Sequence, residues 1–108
     1  MNQVFLSPVK ESVLVNLDLL PSLCLGKTFR IHSKQEGFPD LEKIQIAIFG
    51  IGEGRNSENN SGCGDNLHFI RTKLYELYPG KWTTQIADIG DVLKGNSVTD
   101  TYFAVSEI

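Results

Sequence analysis

The stretch 43–65, KIQIAIFGIGEGRNSENNSGCGD, constrains the fold of this chain more than any other, because an apolar run empties into a long loop of Gly, Asn and Ser. Ile44, Ile46, Ala47, Ile48 and Phe49 are apolar at successive and not only alternate positions. That is the pattern of a strand covered on both faces. Open parallel sheets hold their ligands at the carboxyl ends of such strands. The expected class is therefore α/β, and the loop is the first place to look for function. Its span, 50–65, exceeds the roughly 2 to 6 residues of most strand-to-helix connections, and long ordered loops often bind.

A chain of 108 residues with 41% hydrophobic content supports one core and not two. The net charge of −3, from 10 basic and 13 acidic residues, is scattered without a like-charged run, which argues against nucleic acid as a partner. The start, MNQVFLSPVKES, lacks a basic region followed by an apolar segment, and no apolar run approaches the ~18 residues of a membrane span. A cytoplasmic protein with no membrane partner is the expectation. Cys24 and Cys63 lack CxxC spacing and read as free thiols.

Along the chain, Ser7 and Pro8 predict a helix start, Val9, Val13, Leu17 and Leu20 recur at helical spacing, and Pro21 ends the element. A short strand is expected around 28–31, with His32 after it as an exposed or hydrogen-bonded histidine and not a metal ligand. Asp65 is a plausible cap for a helix whose inward face is Leu67, Ile70, Leu74 and Leu77; His68, Arg71, Lys73 and Glu76 would form its solvated side. A second strand is expected over 84–88, with Asp88, Gly90 and Asp91 at its carboxyl end. These acidic residues would lie near a ligand of the loop if the two strands are neighbours; turn formation and capping are the plainer use of Asp and Gly. Ser97 to Asp100 signals a last helix bearing Val98, Tyr102 and Val105. Its pattern reaches Ile108 without a stop, so the expectation is a piece of a larger α/β domain.

Gly50, Gly52 and Gly54 spell GxGxG after a strand, but Arg55 stands where the dinucleotide fingerprint needs its third glycine. Gly26, Lys27 and Thr28 end like a P-loop, yet Pro21 stands where its first glycine belongs. Neither phosphate cradle is supported, and the loop glycines read as turn-makers that tolerate positive φ. The side chains of Glu53, Arg55, Asn56, Glu58, Asn59, Asn60 and Asp65 could instead hold a small polar ligand bearing a carboxylate and an amine or amidine.

The succession IAIFGIGEGRNSENNSGCGDNLHFIRTKLYELY, ADIGDV and TDTYFAVSEI resembles the amino-terminal portion of the arginase, agmatinase and formimidoylglutamase family of ureohydrolases. The likeness covers roughly 43–108. Ile70 and Arg71 match the family's Ile-Arg pair on the helix after a Gly-rich loop, and Asp88, Ile89, Gly90 and Asp91 match its Asp-Leu-Gly-Asp-like strand end. Asp65, Asn66 and Leu67 replace the family's usual Gly-Pro. The resemblance implies a partial three-layer α/β/α fold with a mostly parallel sheet. Residues 1–42 would be an N-terminal extension of helix and loop, and 43–108 the first strand-helix-strand-helix part of the domain.

The resemblance further implies a full-length protein that hydrolyses a guanidino or formimino C–N bond with hydroxide held between two manganese ions. The ligand segments of that site, Gly-Gly-Asp-His-like, Asp-x-His-x-Asp and Asp-x-Asp, are absent from these 108 residues. The chain alone would then be inert and hold no metal, offering a substrate-side loop with Glu53, Arg55, Asn59 and Asn60. Arg55 suits a substrate carboxylate best, because its planar fork binds bidentately. The competing readings are a non-enzymatic α/β module that binds a small molecule or a protein, and an assembly piece whose open strand edge pairs with another copy in a homo-oligomer.

Overall fold

Every other strand pairs with β4, Ile86–Val92. In the computed structural model, which describes residues 3–57 and 62–108, β3 (Ile46–Ile51) runs parallel along one edge of β4. The other edge is shared end to end by β2 (Arg30–Ile31), parallel, and β1 (Leu6–Ser7), antiparallel. Two residues fix this order: Asp88 stands between Ile48 and Ile31, and Val92 between Ile51 and Leu6. The sheet of four described strands is therefore mixed and not mostly parallel, which corrects the sequence expectation. The cause is β1. Its two residues are too few for any periodic signal, and Leu93 N donates to the Phe5 carbonyl at 2.8 Å to hold them against β4.

Helices α1 (Glu11–Asp18) and α2 (Leu67–Glu76) cover one face of the sheet, and α3 (Val98–Ser106) covers the other. Under α1 and α2 lie Val9, Val13, Leu17, Phe29 and Tyr75, joined by Ile48 and Ile86 from the sheet. Under α3 lie Leu6, Ala87, Ile89, Val92 and Ala104. The last helix starts as expected: the Ser97 hydroxyl accepts from Asp100 N at 3.2 Å and satisfies an orphan amide of the first turn. The first helix starts later than Ser7–Pro8 predicts. Ser7 is drawn into β1, where its hydroxyl donates to the Asp91 carbonyl at 3.2 Å, so Lys10 becomes the cap position without a side-chain bond.

Two burial expectations reverse. The apolar strand β3 is an edge strand, with Ile46 48%, Phe49 40% and Ile51 43% exposed, whereas β4 is the buried one despite its two aspartates. On α2 the inward residues are Arg71 and Tyr75, while Ile70 and Leu77 face solvent.

A bulge in β4 explains how its aspartates act together. Alternation along a strand puts residues 88 and 91 on opposite faces. Between Ile48 and Gly50, however, β3 advances two residues while β4 advances three, from Asp88 to Asp91. The extra residue resets the phase. Ala87, Ile89 and Val92 then face α3, while Ile86, Asp88 and Asp91 face α2. Gly90 makes the bulge possible with φ +95, and a Cβ there would overlap the Ser7 carbonyl oxygen. Gly80 also has positive φ, at +65, but open space around it.

Gly80→Ala should therefore cost only the left-handed penalty of about 1–2 kcal/mol. Gly90→Ala adds overpacking against β1 and should cost at least about 1 kcal/mol more. Urea midpoints of the two variants, measured side by side, check the difference.

Candidate functional site

The carboxyl ends of β3 and β4 lie side by side, so the condition that would bring the acidic strand end to the loop is met. Close approach, and not positive φ, explains Gly50, Gly52 and Gly64. Positive φ occurs at Gly37, Gly80 and Gly90 and not at Gly50, Gly52 or Gly54. A Cβ on Gly50 would run into the Asp91 carboxylate and stand 2.8 Å from Leu67 Cδ1. One on Gly64 would stand 2.5 Å from the carbonyl carbon and oxygen of Gly52, so the two ends of the loop touch backbone to backbone.

Behind these glycines sits a buried ion-pair network. Asp88 is 0% exposed and Arg71 is 6% exposed. Arg71 Nε donates to Asp88 Oδ2 at 2.7 Å and Nη2 to Oδ1 at 3.0 Å, the bidentate fork of a strong charge-assisted pair. Its Nη1 donates to Asp91 Oδ1 at 2.5 Å, and Nη2 also reaches the Gly90 carbonyl at 2.9 Å. Tyr75 OH donates to Asp88 Oδ2 at 2.5 Å, and Gly90 N donates to Oδ1 at 3.1 Å. Burial disfavours the Arg71 charge, but the hydrogen bonds and charges of Asp88 and Asp91 outweigh it and hold the guanidinium more firmly protonated than usual. Burial, and then the Asp88 charge, push the Tyr75 phenol up, so it remains a donor.

The loop is strapped down by a second pair. Arg55 Nε donates to Glu53 Oε2 at 2.8 Å and Oε1 at 3.0 Å, Nη2 donates to Oε1, and Arg55 N donates to Oε2 at 3.2 Å. The same guanidinium reaches the Gly95 carbonyl at 2.9 Å, the Asn96 carbonyl at 3.1 Å and Thr101 Oγ1 at 3.3 Å. The loop after β3 is thereby tied to the turn between β4 and α3. The Arg55 side-chain hydrogen bond is the main reason that the Glu53 carboxyl falls from 4.5 to about 2.

Of the four residues expected in a substrate-side loop, Glu53 and Arg55 are thus brought together, each largely occupied by the other. Asn59 and Asn60 lie outside the described residues. Against the Arg71 network, a pocket of about 200 Å³ is lined by Lys10, Asp65, His68, Arg71 and Asp91 among others. His32 is the hydrogen-bonded histidine of the strand end, its Nδ1 donating to the Ile89 carbonyl at 2.9 Å. Cys24 is a buried free thiol.

The expected solvated side of α2 is corrected at Arg71, the residue that the network is built around. No signal within the helix marks it, because its partners Asp88 and Asp91 lie 17 and 20 residues further on. Among the described residues no group of three His, Cys, Asp or Glu could hold a metal ion. Asp88 and Asp91 are bound to Arg71, so these two carboxylates do not fit a manganese pair. No protein-family model, no curated protein and no solved structure matches the chain.

Two measurements check this geometry. Arg71→Ala strands the Asp88 charge and should cost about 3–5 kcal/mol, against about 1.5–3 kcal/mol for Tyr75→Phe, which removes one hydrogen bond to a charged group; urea unfolding ranks them. The lowered Glu53 carboxyl contributes stability that is complete above pH 4.5 and lost as pH falls towards about 2. Glu53→Gln should flatten the fall of the urea midpoint in that window.

Proposed function

We propose that these residues form the amino-terminal part of a ureohydrolase-like hydrolase of guanidino or formimino C–N bonds, contributing scaffold and no catalytic group. The observation that carries the reading is that the two short motifs of the resemblance meet in space. Arg71 of the Ile-Arg pair grips both aspartates of the Asp-Ile-Gly-Asp segment, at 2.7 Å, 3.0 Å and 2.5 Å. Two segments 17 residues apart in sequence thus behave as one structural unit, the kind of unit whose order and spacing a family would keep.

In this reading Glu53, Arg55, Asn59 and Asn60 belong to the substrate-side loop. The Glu53 and Arg55 pair sets the shape of that loop, because their hydrogen bonds are spent within the chain. The metal-binding segments, and with them two manganese ions, stand in a longer gene product. No helix among the described residues is long and apolar enough to cross a membrane. A cytoplasmic location is part of the proposal.

Urea, formamide or ammonia release is the readout, with arginine, agmatine and formimidoylglutamate as substrates and manganese added. The complete gene product should turn over one of them, and the 108-residue chain none. A complete product that neither binds manganese nor turns over any substrate removes the enzyme reading. Turnover by the 108 residues alone removes the scaffold role.

A further inference from the structure

The outer edge of β3 is open: among the described residues, β4 is its only strand partner. Such an edge offers a row of backbone donors and acceptors, and proteins that leave one unpaired guard it with charge, proline or a cover. β3 reads IAIFGI and has neither charge nor proline. Its apolar side chains are also exposed on both faces, Phe49 and Ile51 on one and Ile46 on the other. On the Ile46 side a groove of about 510 Å³ continues the apolar surface through Leu77, Tyr78 and Trp82.

From this we infer that the open edge of β3 seats a second copy of this chain, strand against strand and antiparallel about a two-fold axis. The chemistry of the edge asks for an extended segment that is apolar on both faces. β3 is such a segment, and a two-fold antiparallel pair makes one strand its own complement.

The available area supports a dimer. Trp82 is 82% exposed and Tyr78 69%. With about 150–250 Å² for each buried aromatic, these two and Phe49 offer on the order of 400 Å² per copy. Leu77, Ile46 and Ile51 raise the apolar total to roughly 650 Å², against the ~800 Å² per partner of a stable interface. The strand's backbone and its flanking polar atoms supply the remainder. This inference rests on the open edge of these 108 residues and does not use the hydrolase reading, under which further chain would compete for the same edge.

Sedimentation equilibrium of the 108-residue chain tests it, carried to roughly 100 µM, where a micromolar dimer is well populated. The expected mass is twice the 12.0 kDa of one chain. A monomer throughout, or aggregates of no fixed size, overturns the proposal. Phe49→Lys places a charge on the edge and should weaken the dimer at least about tenfold, whereas Leu19→Lys, on the exposed end of α1, should leave it intact; a dimer indifferent to Phe49→Lys overturns β3 as the seat. Hydrogen exchange on the unaltered chain needs no variant to fold. The amides of 46–51 should slow at least about tenfold between dilute and concentrated samples, and unchanged rates overturn the pairing.

Discussion

A carboxylate that is 0% exposed in the middle of a sheet has to be met by the rest of the chain, and Asp88 is met completely. Its two oxygens offer about four lone-pair sites. Arg71 Nε and Tyr75 OH occupy those of Oδ2, and Arg71 Nη2 and Gly90 N those of Oδ1. No buried side-chain nitrogen or oxygen among the described residues is left without a partner. A buried ion pair of this kind contributes little net stability compared with apolar residues of the same volume, because desolvation offsets the attraction. Its effect is on geometry. The bidentate fork admits few orientations, so it fixes how α2 lies across β4, and with α2 it fixes where the loop from β3 must end.

That constraint accounts for the reversal on α2. Leu67, Ile70, Leu74 and Leu77 trace a regular apolar stripe, and periodicity turns such a stripe towards the core. The surface facing α2 at this point carries two carboxylates, so the helix turns to present Arg71 and Tyr75. One residue along a helix is about 100° of rotation, enough to carry Ile70 into solvent while Leu74 stays at the margin of the core. Local patterning could not contain this, since the deciding charges are 17 and 20 residues away.

Features set by neighbouring residues were legible in the sequence, and features set by distant partners were not. The Ser97 cap and the strand-loop-helix-strand-helix order from 43 onwards follow from local chemistry and appear as expected. The short strand before His32, expected around 28–31, forms at Arg30–Ile31, because β-branched Ile31 and the turn residues beyond it are local signals. β1 was invisible because two residues become a strand only through the edge of β4 that receives them. The exchange of roles between β3 and β4 has the same origin. An apolar run states what a strand can tolerate on its faces, while burial depends on how many neighbours the topology supplies.

The glycines show how closely the parts depend on one another. Gly26 carries no Cβ because one would stand 2.6 Å from the Cβ and Cγ of Tyr75, the residue whose hydroxyl completes Asp88. Gly50 leaves room for the Asp91 carboxylate that Arg71 grips. Gly90 supplies the left-handed bulge without which Asp88 and Asp91 could not share a face. Three glycines from three separate segments thus clear space around a single network. Composition assigns each to a turn, yet two of them have ordinary φ and are required by what lies above them. The Gly-rich loop thus closes over a packed ion-pair centre: Gly50 lets backbone approach the Asp91 carboxylate, Gly52 and Gly64 let the two ends of the loop meet, and its half-buried Arg55 guanidinium is spent holding the loop to the turn before α3.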